Sequence, residues 1–131
     1  MKTTLNANSM KITINDNRKI FAIQEEFSKS FPYLKLEFFS KPHEPGGASS
    51  RKPIKSEAKT LGECRSTHKD GTLSITANMT VADLEGNFRD VYGLGVHILR
   101  KSGKSWLETT VTESWTLEEQ NKQGEALSQS T

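Results

Sequence analysis

Met10, Ile12 and Ile14 alternate with Lys11 and Thr13, the two-residue period of a strand with one buried face. Asp16 or Asn17 then offers a helix cap. Ile20, Ile23, Phe27 and Phe31 follow at helical spacing, and Pro32 ends the run. Glu25 stands four residues before Lys29, the favourable ion-pair order on a helix surface. Leu34, Leu36 and Phe38 alternate again as a second strand. Residues 40–59 have no apolar period and read as a long loop. Thr60 and Glu63 form a capping signature over a short turn with Leu61 and Cys64 on its inner side. Leu73 and Ile75 mark a third strand after the turn at 69–71.

Thr80 and Asp83 make a second capping signature, followed by Val81, Leu84, Phe88 and Val91 at steps of three and four. Gly93 stands where a left-handed residue closes a helix. Val96 and Ile98 open a fourth strand, Ser102-Gly103-Lys104 a hairpin turn, and Trp106–Val111 a fifth strand. Thr116 with Glu119 opens a short acidic helix ending near Gly124. No internal repeat and no heptad pattern is visible. The order predicts an α+β fold, a ferredoxin-like split βαβ arrangement (β-α-β-β-α-β) with an extra C-terminal strand and a short helix. A β-grasp is the alternative. Two amphipathic helices on one face of an antiparallel sheet would bury both apolar stripes. The expected organisation is a disordered lead-in over 1–9, a single domain over 10–127 with the long loop at 40–59, and a disordered tail over 128–131.

Length changes this picture little: 131 residues support one core. A net charge of +2 implies no partner by itself. Its distribution says more. Lys41, Arg51, Lys52, Lys55, Lys59, Arg65 and Lys69 make the middle basic, whereas Glu108, Glu113, Glu118, Glu119 and Glu125 make the end acidic. A lone cysteine, Cys64, excludes an internal disulfide. No apolar run approaches the roughly 18 residues of a membrane span. The first residues lack the apolar stretch of a signal peptide, so a cytoplasmic location without a membrane role is expected.

Candidate chemistry is sparse. Gly46 and Gly47 precede Arg51 and Lys52, but no Gly-Lys-Ser follows at phosphate-loop spacing. Their backbone N–H groups with the two cations form a candidate anion site. Arg18 and Lys19, read as the first turn of the first helix, form a second. Backbone binding of nucleic acid through the 41–69 segment is an alternative and would be strongly salt-dependent. Base stacking is unsupported, because Phe39, His97 and Leu99 are the only bulky residues expected on the open sheet face. Cys64 and His68 are weak catalytic candidates for thiol chemistry. One cysteine and three histidines give no metal site, and no cofactor is implied. Trp106 and Trp115 read as core or rim anchors.

The stretches "TLGECR" (60–65), "TVADLEGNFRDVYGLGVHILRKSGKSWLETT" (80–110) and "WTLEEQNKQG" (115–124) resemble a family of small uncharacterised bacterial proteins, over 10–127 or so. That resemblance implies a cytoplasmic bacterial protein and supplies no catalytic residue. The expected function is a protein-interaction or binding module rather than an enzyme. Its partner would be a protein or a second copy meeting the sheet edge at 94–111.

Overall fold

In the computed structural model, which describes residues 9–39, 54 and 58–129, the alternating segments are strands and the periodic ones helices. The order is β1 (Met10–Ile14), α1 (Ile20–Ser30), β2 (Leu34–Phe39), α2 (Leu61–Cys64), β3 (Gly71–Ile75), α3 (Val81–Tyr92), β4 (Gly95–Ser102), β5 (Ser105–Glu108) and α4 (Leu117–Gln129). The chain is α+β, with two antiparallel sheets, β1-β3 and β2-β4-β5, an arrangement compatible with the expected split βαβ layout. The inward residues Ile12, Ile14, Leu34, Leu36, Phe38, Leu73, Ile75, Val96 and Ile98 meet Ile23 and Phe27 of α1 and Leu84 and Phe88 of α3 in a single core.

The helix boundaries follow from local chemistry. Thr80 Oγ1 accepts the Asp83 N–H at 3.0 Å, which satisfies one of the amide groups a helix start leaves unpaired. Gly93 closes α3 at φ 68°, a left-handed conformation that costs a residue with a Cβ roughly 1–2 kcal/mol. The first helix behaves otherwise. Neither Asp16 nor Asn17 caps it. Lys19 is the N-cap and makes no side-chain cap bond. The Ile20 N–H instead donates to the Lys59 carbonyl at 2.9 Å, because an isolated bridge between Lys19 and Thr60 brings that backbone alongside. Three further details differ from expectation. β5 stops at Glu108 rather than Val111. Val91 is half-exposed while Tyr92 is buried. α4 runs through Gly124 to Gln129, because a glycine there lets the helix lie against Tyr33 and Arg100: a Cβ would stand 2.8 Å from Tyr33 Cβ.

The larger correction concerns repetition. Met10 and Gly71 start β1 and β3, and a displacement of 61 residues superposes the pattern that follows. The two strands share the same succession of exposed and buried positions. Ile20, Ile23, Phe27 and Phe31 fall on Val81, Leu84, Phe88 and Tyr92, all buried. One residue fewer in the helix–strand turn then places Leu34, Leu36 and Phe38 on Leu94, Val96 and Ile98. The connections repeat as well. Leu61 N–H donates to Arg18 O, and Leu117 N–H to Met79 O. Gly62 N–H donates to Asp16 O, and Glu118 N–H to Ala77 O. The Lys19–Thr60 bridge has its counterpart in Thr80–Thr116.

The chain is therefore two β-α-β-α units facing one another. Ile12 pairs with its own counterpart Leu73 in one sheet, and Glu37 with its counterpart His97 in the other, so a pseudo-twofold axis passes through both strand pairs. Each unit supplies one strand to β1–β3 and one to β2–β4, so the core belongs to both together. Side-chain size is matched at the repeated turn. Asp16 leaves room only for Gly62, where a Cβ would lie 2.8 Å from Asp16 Cβ, whereas Ala77 leaves room for Glu118.

Candidate functional site

Two features carry the candidate chemistry. The first is a cluster around the link between the units. Arg65 follows α2 in an extended conformation, and its side chain is fully buried. Its Nε and Nη2 donate to Asp16 Oδ1 at 3.0 and 2.8 Å, and its Nη1 donates to the Tyr92 carbonyl at 3.0 Å. The guanidinium thus ties the β1–α1 turn to the end of α3. His68, half-exposed, places Nδ1 2.8 Å from Asp16 Oδ2 and leaves the ring's other edge toward solvent. The corresponding positions of the second unit are Ala77 and Asn121. The Arg65 hydrogen bond and then that of His68 hold the Asp16 carboxyl below the usual carboxylate range.

A carboxylate with a lowered folded-state pKa adds stability that is complete above its unfolded pKa and is lost as pH falls through the folded one. Asp16 therefore contributes its full stabilisation above about pH 4 and loses it progressively as pH falls from there through its lowered folded-state pKa. Urea midpoints measured between pH 2 and 6 are expected to fall more steeply with acid in the wild type than in Asp16→Asn. Parallel pH profiles would remove Asp16 from the account.

Cys64 lies beside this cluster but does not join it. Its thiol is buried, and burial pushes its pKa up, the opposite of an activated nucleophile. His68 is engaged by Asp16 rather than by sulfur. Among the described residues no group of three or more His, Cys, Asp or Glu side chains is placed to hold a metal ion.

The second feature is β5. Among the described residues it pairs only with β4, through a two-residue turn in which Gly103 has φ 61°. All four of its residues are exposed. The edges around it are closed. On the outer edge of β2, Gln24 Nε2 donates to Leu36 O at 3.0 Å, Ser28 Oγ to Leu34 O at 2.9 Å and the Ile54 N–H to Phe38 O at 2.8 Å. Where β4 runs past the end of β5, Glu85 Oε2 accepts the Ile98 N–H at 3.1 Å and Thr109 Oγ1 donates to the Ile98 carbonyl at 2.8 Å. Gln24 and Glu85 are equivalent positions of the two units, so one helix position covers a strand edge in each.

The hydrogen-bonding phase of β5 follows from its neighbours. Lys101 N–H donates to Tyr33 O, so the odd-numbered residues of β4 bond to β2 and the even-numbered ones to β5. Ser102 and Arg100 then bond to Ser105 and Leu107. The backbone groups of Trp106 and Glu108 point away from the sheet. Trp106 also carries a basic flank, with Lys35 Nζ 5.3 Å and Lys101 Nζ 6.0 Å from its ring centroid, a cation–π arrangement. On the other face, Leu107 is half-exposed opposite Arg100, whose guanidinium stacks on Trp115.

The remaining expected site residues lie elsewhere. Arg18 and Lys19 precede α1 rather than forming its first turn; Arg18 pairs with Glu26 and donates to Thr13 O. Phe39, His97 and Leu99 lie on the expected sheet face but are 6%, 7% and 7% exposed, so that face is not open at these positions. Phe39 and His97 meet edge to face at 4.9 Å, with Glu85 3.4 Å from His97 Nδ1. Gly46, Gly47, Arg51, Lys52, Lys41 and Lys55 lie outside the described residues, as do 1–8, most of the 40–59 loop and 130–131. Glu85, Lys35 and Lys101 were not singled out by the sequence, where each reads as an ordinary surface charge, and Asp16 was read only as a helix cap. No helix of the described residues is long and apolar enough to cross a membrane. No family model matches the chain, and no curated protein or solved structure matches it.

Proposed function

We propose that this chain is a cytoplasmic protein-interaction module that takes up an extended segment along the free edge of β5. One observation carries the reading. Within the β2-β4-β5 sheet, helix side chains cover the edges of β2 and β4, while no other described residue hydrogen-bonds the outward backbone of Trp106 and Glu108. Edges left to solvent are usually blunted by charge, proline or cover. Here the strand instead exposes Trp106 and Leu107. An added strand would gain main-chain hydrogen bonds, with selectivity from side chains on alternating faces. The lysines beside Trp106 favour an acidic side chain on that face. Membership of a family of small bacterial proteins belongs to the same proposal and rests on the three stretches quoted above.

Site-specific photo-crosslinking in cells tests it. A photoreactive side chain at position 106 is expected to give discrete protein adducts, and one at Asp90, on the exposed side of α3, none. Absence of adducts at 106, or equal yields at both positions, would remove the β5 edge as the working surface.

A further inference from the structure

The β5 edge is complementary to itself, and we infer that a second copy of this chain is the partner that seats on it. The inference rests on the strand-addition reading and names its occupant. Two β5 strands running antiparallel across a twofold axis at Leu107 place Trp106 of each opposite Glu108 of the other. Trp106 and Glu108 are the residues whose backbone groups point outward, so each such pair exchanges both an N–H and a carbonyl. Leu107 then meets its own copy as the close, non-hydrogen-bonded pair on the axis, covering a side chain that is 44% exposed in the single chain.

Charge selects this register. Trp106 and Glu108 lie on the same face as Lys35 and Lys101. In the Leu107-centred pairing, the Glu108 carboxylate of each copy lands beside the lysine-flanked Trp106 of the other. Centring on Trp106 would bring the two lysine pairs together. Centring on Glu108 would oppose two carboxylates. Like charges directly opposite are destabilising, so both alternatives lose to the first. The pairing is isologous and therefore closes at two copies, whereas a head-to-tail addition would leave an edge open at each end. It joins the sheets into one six-stranded sheet, β2-β4-β5-β5-β4-β2, and removes the open edge. A strand of four residues gives a small contact, so dissociation on the order of micromolar is expected.

Sedimentation equilibrium across about 0.1 μM to 100 μM, a window that brackets that affinity, tests the inference. The wild type is expected to convert from monomer to dimer with concentration. Glu108→Lys is expected to raise the dissociation constant at least about tenfold, since it replaces both symmetric charge contacts by repulsion. Trp106→Pro removes an outward N–H and leaves the Ser105 and Leu107 bonds to β4, so it too should dissociate the dimer. Asp70→Lys, the same charge change in the link before β3, should leave the constant unchanged. A chain that is monomeric throughout, or a dimer indifferent to both edge variants, overturns the inference. If that monomer still gives discrete adducts to another protein from position 106, only self-pairing is lost. If it gives none, strand addition is lost with it.

Discussion

Phe27→Ala and Phe88→Ala are each expected to cost about 3–5 kcal/mol, and to cost nearly the same. Both rings are fully buried, and they occupy the same position of the two units. Phe88 meets Phe38 edge to face at 6.0 Å, and Phe27 meets Phe31 at 5.1 Å. Because each unit completes both sheets, a cavity under either helix weakens one shared core. Losses of this size approach the whole stability of an ordinary domain and should lower Tm by about 10–20 °C. Val91→Ala, on the outer side of α3, should stay within about 0.5 kcal/mol. Urea denaturation checks all three. A Phe88→Ala cost below about 1 kcal/mol beside a full cost at Phe27 would mean that the two units do not share a core.

Arg65→Ala carries the second large effect, about 2–4 kcal/mol. The substitution removes a fully buried side chain and leaves the Tyr92 carbonyl without its donor. It also releases Asp16, whose carboxylate is partly open and can take water instead, which keeps the cost below that of a wholly buried pair. Arg65→Lys should recover part of the loss, since a single ammonium cannot bond Asp16 and Tyr92 O in the same forked manner. A loss below about 0.5 kcal/mol for Arg65→Ala, measured by urea midpoint, would show that the link between the units is not held by this residue.

The apolar skeleton was legible because its periods are long and clean. Ile12 and Ile14 gave β1, and Val81, Leu84 and Phe88 with the Thr80–Asp83 box gave α3. The repeat was not legible, although the same reading contained its parts: the Thr60 and Thr116 signatures and the two helical stripes lay in equivalent places. Only the fully buried pattern is retained between the units, while positions outside it diverge, as Arg18 and Met79 or Gly62 and Glu118 show. A shift of one residue after the helices further hid the match of Leu34 with Leu94.

The candidate site was legible only in part. The hairpin turn and the idea of an exposed sheet edge came from the Ser102-Gly103-Lys104 turn. Which strand is open did not, because it depends on contacts distant in sequence: Gln24 reaching Leu36, Glu85 reaching Ile98 and Lys35 reaching Trp106. Asp16 read as a helix cap because its partners, Arg65 and His68, lie some fifty residues away in the chain. The helix start it was assigned to is served instead by the Lys59 carbonyl.

The central claim is that β5 presents an unpaired backbone edge, and amide hydrogen exchange at single-residue resolution tests it most directly. The measurement belongs on monomeric samples, with Glu108→Lys in place of the wild type where dilution does not separate the copies. The structure predicts alternation along β5. The Ser105 and Leu107 amides, bonded to β4, should be protected, while those of Trp106 and residue 108 should exchange near the rate of an unfolded chain. Protection of Trp106 and residue 108 equal to that of Leu107 in a verified monomer would mean that the edge is already covered, and would contradict the account.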